Sequence, residues 1–207
     1  NYLSVLKKNI DDSLLNVYKT GPKLLKDPIN HIIIGGKRLR PILCMLTTES
    51  LGCEYKKAID SSISIELLHI FSLIHDDIMD NDSLRHGNKT LHEKWSLPVG
   101  ILAGDAVLAL AFNRLNKLDN EIKELFNSAL IAVCEGQALD LEYEEKKHVS
   151  LDEYLYMIGL KTSHMLGLCS QLGAFIAGAD KDTIIKMNQF GKFIGTAFQI
   201  QDDLLEV

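Results

Sequence analysis

Apolar residues recur three and four positions apart along almost the whole chain, and no stretch alternates apolar with polar residues between turn signals. That period stacks one apolar stripe on successive helical turns, so the predicted fold class is all-α. Leu3, Leu6, Ile10, Leu14 and Val17 mark a first helix that ends before Gly21-Pro22, because proline disfavours helical backbone at the residue preceding it. A short segment over 28–34 follows and is interrupted by Gly35-Gly36. Residues 39–51 read as a helix stopped by Gly52 at its C′ position. A long helix then runs over about 56–80, a polar loop over 81–90, and two more helices over about 98–118 and 121–144. Ser150-Leu151-Asp152-Glu153 has the form of a capping box, which satisfies free amides at a helix start, and opens a helix reaching about Ala177. The last helix begins at Asp182 or Thr183 and continues to the chain end.

No Pro-rich or Gly/Ser-rich linker divides the chain and no repeat of solenoid length recurs, so residues 1–207 read as one domain. The simplest architecture is a bundle of mostly antiparallel helices around a central cavity. With 207 residues and 46% apolar composition the chain is long enough to bury a sizeable core. The net charge of -6 argues against general affinity for nucleic acid, which depends on a basic surface, so any handling of phosphate is local. Cys44, Cys53, Cys134 and Cys169 form no CxxC pair and indicate neither a zinc site nor a disulfide scaffold. The longest apolar stretch, over 99–112, is interrupted by Asp105 and is too short to span a bilayer, so a soluble, cytoplasmic protein is expected. The chain opens on Asn1 and stops inside a helical pattern without a cap, from which a piece of a longer protein is expected.

The polar chemistry concentrates in two acidic clusters: His75-Asp76-Asp77-Ile78-Met79-Asp80-Asn81-Asp82, and Gln199-Ile200-Gln201-Asp202-Asp203-Leu204-Leu205-Glu206. Carboxylates this close repel one another unless water, a cation or a basic partner neutralises them. Asp76 and Asp80 stand one helical turn apart on one face, with Asp77 displaced by about 100°. Oxygen-only ligands with room for water suit Mg²⁺, which commonly takes one or two carboxylates and leaves its other positions to water and substrate phosphates. Gln199, Asp202, Asp203 and Glu206 follow at i, i+3, i+4 and i+7, one polar stripe of a helix. Either cluster alone is also explained as a solvated helix end; the pair suggests a shared polyvalent ligand.

Such a ligand needs cations on its far side, and three groups supply them. Gly35-Gly36-Lys37-Arg38-Leu39-Arg40-Pro41 puts three cations at a flexible turn leading into a helix, where phosphate meets side chains and free amides. Arg85, in Leu84-Arg85-His86-Gly87, lies just after the first cluster, and Lys161-Thr162 sets a cation beside a hydroxyl in an otherwise apolar helix. The first and the last have an ordinary reading alone: a basic surface turn, and a snorkelling lysine.

Taken in order, these residues resemble the trans-prenyl diphosphate synthases of the polyprenyl synthetase family, which condense isopentenyl diphosphate with an allylic diphosphate. The likeness runs through GGKRLRP at 35–41, ELLHIFSLIHDDIMD at 66–80, LRHG at 84–87, ILAGDAVL at 101–108, GQALDL at 136–141, KTS at 161–163 and FQIQDDLLE at 198–206. The resemblance implies an isoprenoid synthase fold, Mg²⁺ dependence and a homodimer. It assigns Lys37, Arg40 and His69 to isopentenyl diphosphate, with His86 at the position of a second arginine. Asp76 and Asp80, supported by Asp77, fall to Mg²⁺; Arg85, Lys161, Thr162 and Gln199 to the allylic diphosphate; and Asp202 to a further Mg²⁺, supported by Asp203 and Glu206. His69 also has the plainer reading of a buried, hydrogen-bonded histidine. The implied reaction is ionisation, condensation and elimination, without a nucleophilic side chain.

The chain departs from the family pattern at His86, which replaces a permanent cation with a group partly charged near neutral pH, and at Glu206, which replaces the last aspartate. The resemblance also leads one to expect a further C-terminal portion with additional lysines that the given sequence does not include. Product length in this family follows the residues four and five positions before the first aspartate, here Ser72 and Phe71, roughly 6 and 7.5 Å along the helix from Asp76. Small Ser72 leaves space while Phe71 forms a floor or simply fills the core, so a C20 product is expected first and C15 second. A terpene cyclase would lack the GGKRLRP and His69 set, and a non-catalytic regulatory subunit usually loses aspartates that this chain keeps.

Overall fold

The computed structural model describes residues 1–85 and 87–206, and the fold is all-α apart from one two-stranded hairpin among them. The chain forms two compact units, Asn1–Ile42 with Asp60–Lys117, and Leu43–Ile59 with Leu118–Val207.

In the first unit, α1 (Tyr2–Leu14) starts where the Asn1 side chain accepts the Leu3 amide at 3.3 Å, and buries Leu6, Ile10 and Leu14 along one stripe. It stops short of Val17 because the backbone tightens into i→i−3 bonds, Asn16 N to Ser13 O at 3.2 Å and Val17 N to Leu14 O at 3.0 Å. Helix α2 (Lys23–Ile33) corrects the expected segment over 28–34: it begins directly after Pro22 and carries Pro28 inside, losing one backbone bond where a break was expected. It packs on α6 (Leu97–Leu115). Helix α4 (Ile59–Met79) is buried nearly all round, with Ile63, Ile65, Leu67, Leu68, Ile70 and Ile74 in the core. Two of its buried serines donate outside the helix, Ser62 Oγ to Pro41 O at 3.2 Å and Ser64 Oγ to Ala111 O at 3.2 Å, while Ser61 Oγ finds no partner among the described residues.

The loop expected over 81–90 contains a short antiparallel ladder, β1 (Leu84–Arg85) against β2 (Asn88–Lys89), followed by the one-turn helix α5 (Leu91–Lys94). Thr90 closes it, its hydroxyl donating to Asp82 O at 2.7 Å. By length and composition alone, two helical stretches among the described residues are apolar enough to cross a membrane. Tyr55–Met79 has 67% of its apolar window buried, and Leu97–Leu115 has 33%. The first is a core helix. The second runs on past the apolar stretch read from sequence and exposes Leu97, Ile101 and Leu102.

Helix α3 (Leu39–Ser50) carries the chain into the second unit and ends as expected, with Gly52 at φ 85° and the Cys53 amide reaching back to Thr48 O at 3.1 Å. Helix α7 (Asn120–Glu144) precedes α8 (Leu151–Ile158), whose capping box is formed: Glu153 N donates to Ser150 Oγ and Ser150 N to Glu153 Oε2. The single helix expected from Ser150 to Ala177 is broken by a π turn, Gly159–Ser163, before α9 (His164–Ile176). Helix α10 (Lys181–Glu206) packs on α9 and on the π turn. The approach is close enough to require glycine: a Cβ at Gly191 would stand 2.2 Å from Leu166 O, and one at Gly195 would stand 2.6 Å from Ser163 Cα.

Candidate functional site

In the first unit the acidic cluster occupies the C-terminal end of α4. The Asp80 amide bonds Asp76 O at 2.9 Å, so the turn between them is helical and the two carboxylates share a face. The helix then ends at Asn81 in the left-handed region, φ 54°, with the Asp82 amide on Asp77 O at 2.9 Å. Asp77 points the other way and is 1% exposed. Burial raises its pKa, an effect that the Arg85 hydrogen bond and charge oppose without cancelling. The β1–β2 hairpin folds Arg85 back onto the cluster, Nε on Asp77 Oδ1 at 2.5 Å and Nη2 on Asp76 Oδ2 at 3.5 Å. Arg85, expected to face a diphosphate, thus serves here as counter-ion to two of the aspartates, and the repulsion read from sequence is partly relieved within the fold.

The glycine-rich turn sorts its three cations. Gly35 and Gly36 both hold positive φ, 96° and 86°, and Arg38 itself sits at φ 57°. Arg38 turns inward, 5% exposed, bonding Glu66 on α4 at 2.7 Å, Asp11 on α1 at 2.8 Å and Ile33 O at the end of α2. Three cations at a turn open to phosphate were expected; Arg38 is a structural bolt instead. The lowered pKa of Asp11 reflects this: burial works to raise it, but hydrogen bonds from Lys7 and Arg38 outweigh burial. Lys37 remains exposed, and Arg40 is brought to His69, Nη1 to Nε2 at 3.1 Å. That bond uses Nε2 as acceptor and leaves the ring proton on Nδ1. Ser72 Oγ donates to His69 O at 2.8 Å, and Phe71 packs its ring on His75, centroids 4.6 Å apart.

In the second unit the π turn presents Lys161 and Thr162 together. A Cβ at Gly136 would lie 2.4 Å from Lys161 N, so α7 meets this turn backbone to backbone. Lys161 Nζ bonds Asp140 of α7 at 2.5 Å. Thr162 Oγ1 donates to Gln199 Oε1 at 2.8 Å, Gln199 Nε2 donates to Asp203 Oδ1 at 2.8 Å, and the Tyr154 hydroxyl donates to Asp203 Oδ2. Asp202 lies exposed beside them. His86, and the side chain of Glu206, lie outside the described residues.

Asp140 and Tyr154 were absent from the residues singled out by sequence. Asp140 lay in view within GQALDL, without a partner to give it a role. Tyr154 left no local signal, because its partner is 49 positions away.

The arrangement suits a hard cation better than a soft one. Among the described residues no three His, Cys, Asp or Glu side chains close into a cage. The Asp76 and Asp80 pair and the exposed Asp202 offer oxygen donors in ones and twos, the donor set Mg²⁺ accepts while keeping water and phosphate ligands.

Comparison with known proteins agrees along the chain. Residues 22–207 match the polyprenyl synthetase family. A geranylgeranyl diphosphate synthase of Sulfolobus acidocaldarius is 39% identical over 99% of this chain and 65% of its own length. A crystal structure of a geranylgeranyl pyrophosphate synthase superposes with a TM-score of 0.95 at 40% identity, over 99% of this chain and 64% of that one. The synthetase from the archaeon Geoglobus acetivorans gives 0.95 at 34% identity, over 100% of this chain and 70% of that one. The chain spans less than two thirds of the length of the Sulfolobus relative.

Proposed function

Since the chain belongs to the polyprenyl synthetase family, we propose that residues 1–207 act as one prenyltransferase domain. It would condense isopentenyl diphosphate with an allylic diphosphate of five to fifteen carbons, giving a short trans-prenyl diphosphate, C20 first and C15 second. The observation that carries this reading is helix α4. His69, paired with Arg40, stands seven residues before Asp76, roughly 10 Å along the axis, so a cationic and an acidic subsite share one rigid element.

In this reading Lys37, Arg40 and His69 hold the isopentenyl diphosphate. Asp76 and Asp80, with Asp77 in support, and Asp202, with Asp203 in support, would hold Mg²⁺. When bound, Mg²⁺ supplies Lewis-acid neutralisation of the charge growing on the departing diphosphate. Arg85, Lys161, Thr162 and Gln199 orient the allylic diphosphate, their fixed donors aimed at that same charge. The allylic cation left by ionisation is attacked by the isopentenyl double bond, and loss of one proton completes the step. Phe71, 9% exposed and braced by the His75 ring, sets the floor beneath the growing chain while Ser72 leaves room. The names of the similar proteins support C20. The enzyme would be cytoplasmic and pair with a second copy of itself.

The test is incubation of the full-length protein with Mg²⁺, isopentenyl diphosphate and each of the C5, C10 and C15 primers, followed by chromatography of the products. Elongation ending at C20 is expected; no elongation from any primer would contradict the proposal. Phe71→Ala should lengthen the product, and an unchanged length would remove Phe71 as the floor.

A further inference from the structure

Tyr154 belongs to none of the segments that carry the family resemblance, yet its hydroxyl meets the second acidic cluster. It stands on α8, before the π turn, while Thr162 stands within that turn. Both are bonded to α10: Tyr154 to Asp203, and Thr162 to Gln199, which in turn donates to Asp203 at 2.8 Å. The bonds have one direction. The Thr162 hydroxyl fixes the Gln199 amide with its oxygen toward the π turn, leaving the amide nitrogen to donate to one oxygen of Asp203 while Tyr154 donates to the other. Both oxygens of Asp203 are therefore taken by neutral donors. Its neighbour Asp202 is left exposed for a cation. About two turns earlier, α10 is held against the π backbone by Gly195 and by Ser163 Oγ on Thr196 Oγ1 at 2.8 Å. Tyr154 and Asp140, the partner of Lys161, line one open groove of about 540 Å³.

Resting on the function proposed above, we propose that Tyr154 is a positioning residue for the allylic half of the site. It clamps Asp203, and through it the acidic turn of α10, to the segment bearing Lys161, and so sets the spacing between Asp202 and Lys161 on either side of a Mg²⁺-bound diphosphate.

The experiment is calorimetric binding of inorganic diphosphate in the presence of MgCl₂ to the full-length wild-type protein, Tyr154→Phe, and a variant carrying 4-aminophenylalanine at position 154. Steady-state KM values for both substrates are measured alongside. Loss of a partner that orients metal ligands costs about tenfold or more in affinity. Tyr154→Phe should therefore bind diphosphate about tenfold more weakly and raise the allylic KM, while the KM for isopentenyl diphosphate stays within about twofold. The aminophenylalanine, which keeps a donor in place, should recover most of the affinity. Equal diphosphate affinity in wild type and Tyr154→Phe, or parallel losses in both KM values, would overturn the inference alone. Wild-type protein that bound no diphosphate with Mg²⁺ would overturn it together with the proposed function. Should Tyr154→Phe not fold, the aminophenylalanine protein decides: wild-type affinity supports the clamp, and a tenfold loss with the donor retained overturns it.

Discussion

Arg38 and Arg85 carry the same charge but are put to different uses by the fold. Arg38 is locked among Asp11, Glu66 and a carbonyl, whereas Arg85 rests on Asp77 and Asp76 at the edge of the cluster, 23% exposed. Asp11 offers a test of the first arrangement. Its folded pKa lies below the ordinary 3.8, so ionised Asp11 favours the folded state above that value, and the gain fades as pH falls through the folded pKa. Asp11→Asn should lower the thermal midpoint at pH 7, and the gap to wild type should close below pH 3.8. A gap unchanged down to pH 2 would exclude the ion pair as its source. The sign is opposite for Asp77, whose raised pKa makes ionisation a cost in the folded state as pH rises through the window above 3.8. Which of the neighbouring arginines would turn inward could not be read from GGKRLRP, because the choice depends on Glu66 and Asp11, which are remote in sequence. Arg40 and His69 were singled out through the family resemblance, and the fold brings them within 3.1 Å of each other.

Helix ends were readable where local chemistry dictates them. Ser150 and Glu153 form their box, and Gly52 stops α3 in the left-handed conformation only it adopts cheaply. Ser150→Ala should therefore cost about 1 kcal/mol of stability, measurable by denaturant titration. The π turn was not readable, because its cause is tertiary: α7 and α10 approach its backbone at Gly136 and Gly195. Gly136→Ala puts a methyl group 2.4 Å from Lys161 N, a contact with backbone that no rotamer relieves. It should cost about 1–3 kcal/mol and lower activity by moving Lys161. A stable and fully active variant would show that this approach does not set the lysine. The hairpin at 84–89 escaped notice for a similar reason, since two residues per strand leave no alternating pattern.

For the molecule as a whole, all-helical class and the order of the long elements followed from the period, as in α1, where Leu6, Ile10 and Leu14 fall on one buried stripe. The division into two units did not, as no linker marks it. Leu97, Ile101 and Leu102 leave an exposed apolar face on α6, which the proposed pairing of two copies would cover. Leu102→Glu should convert a dimer to monomers by light scattering, with an unchanged mass arguing against this face. In the proposed function both acidic clusters serve one reaction. Its most direct test is the Mg²⁺-dependent release of diphosphate by full-length wild type, Asp76→Asn and Asp202→Asn, supplied with isopentenyl diphosphate and an allylic primer. Each variant should fall by about 100-fold or more, as loss of one charge-stabilising group commonly does. A near-wild-type rate in either one would contradict the account.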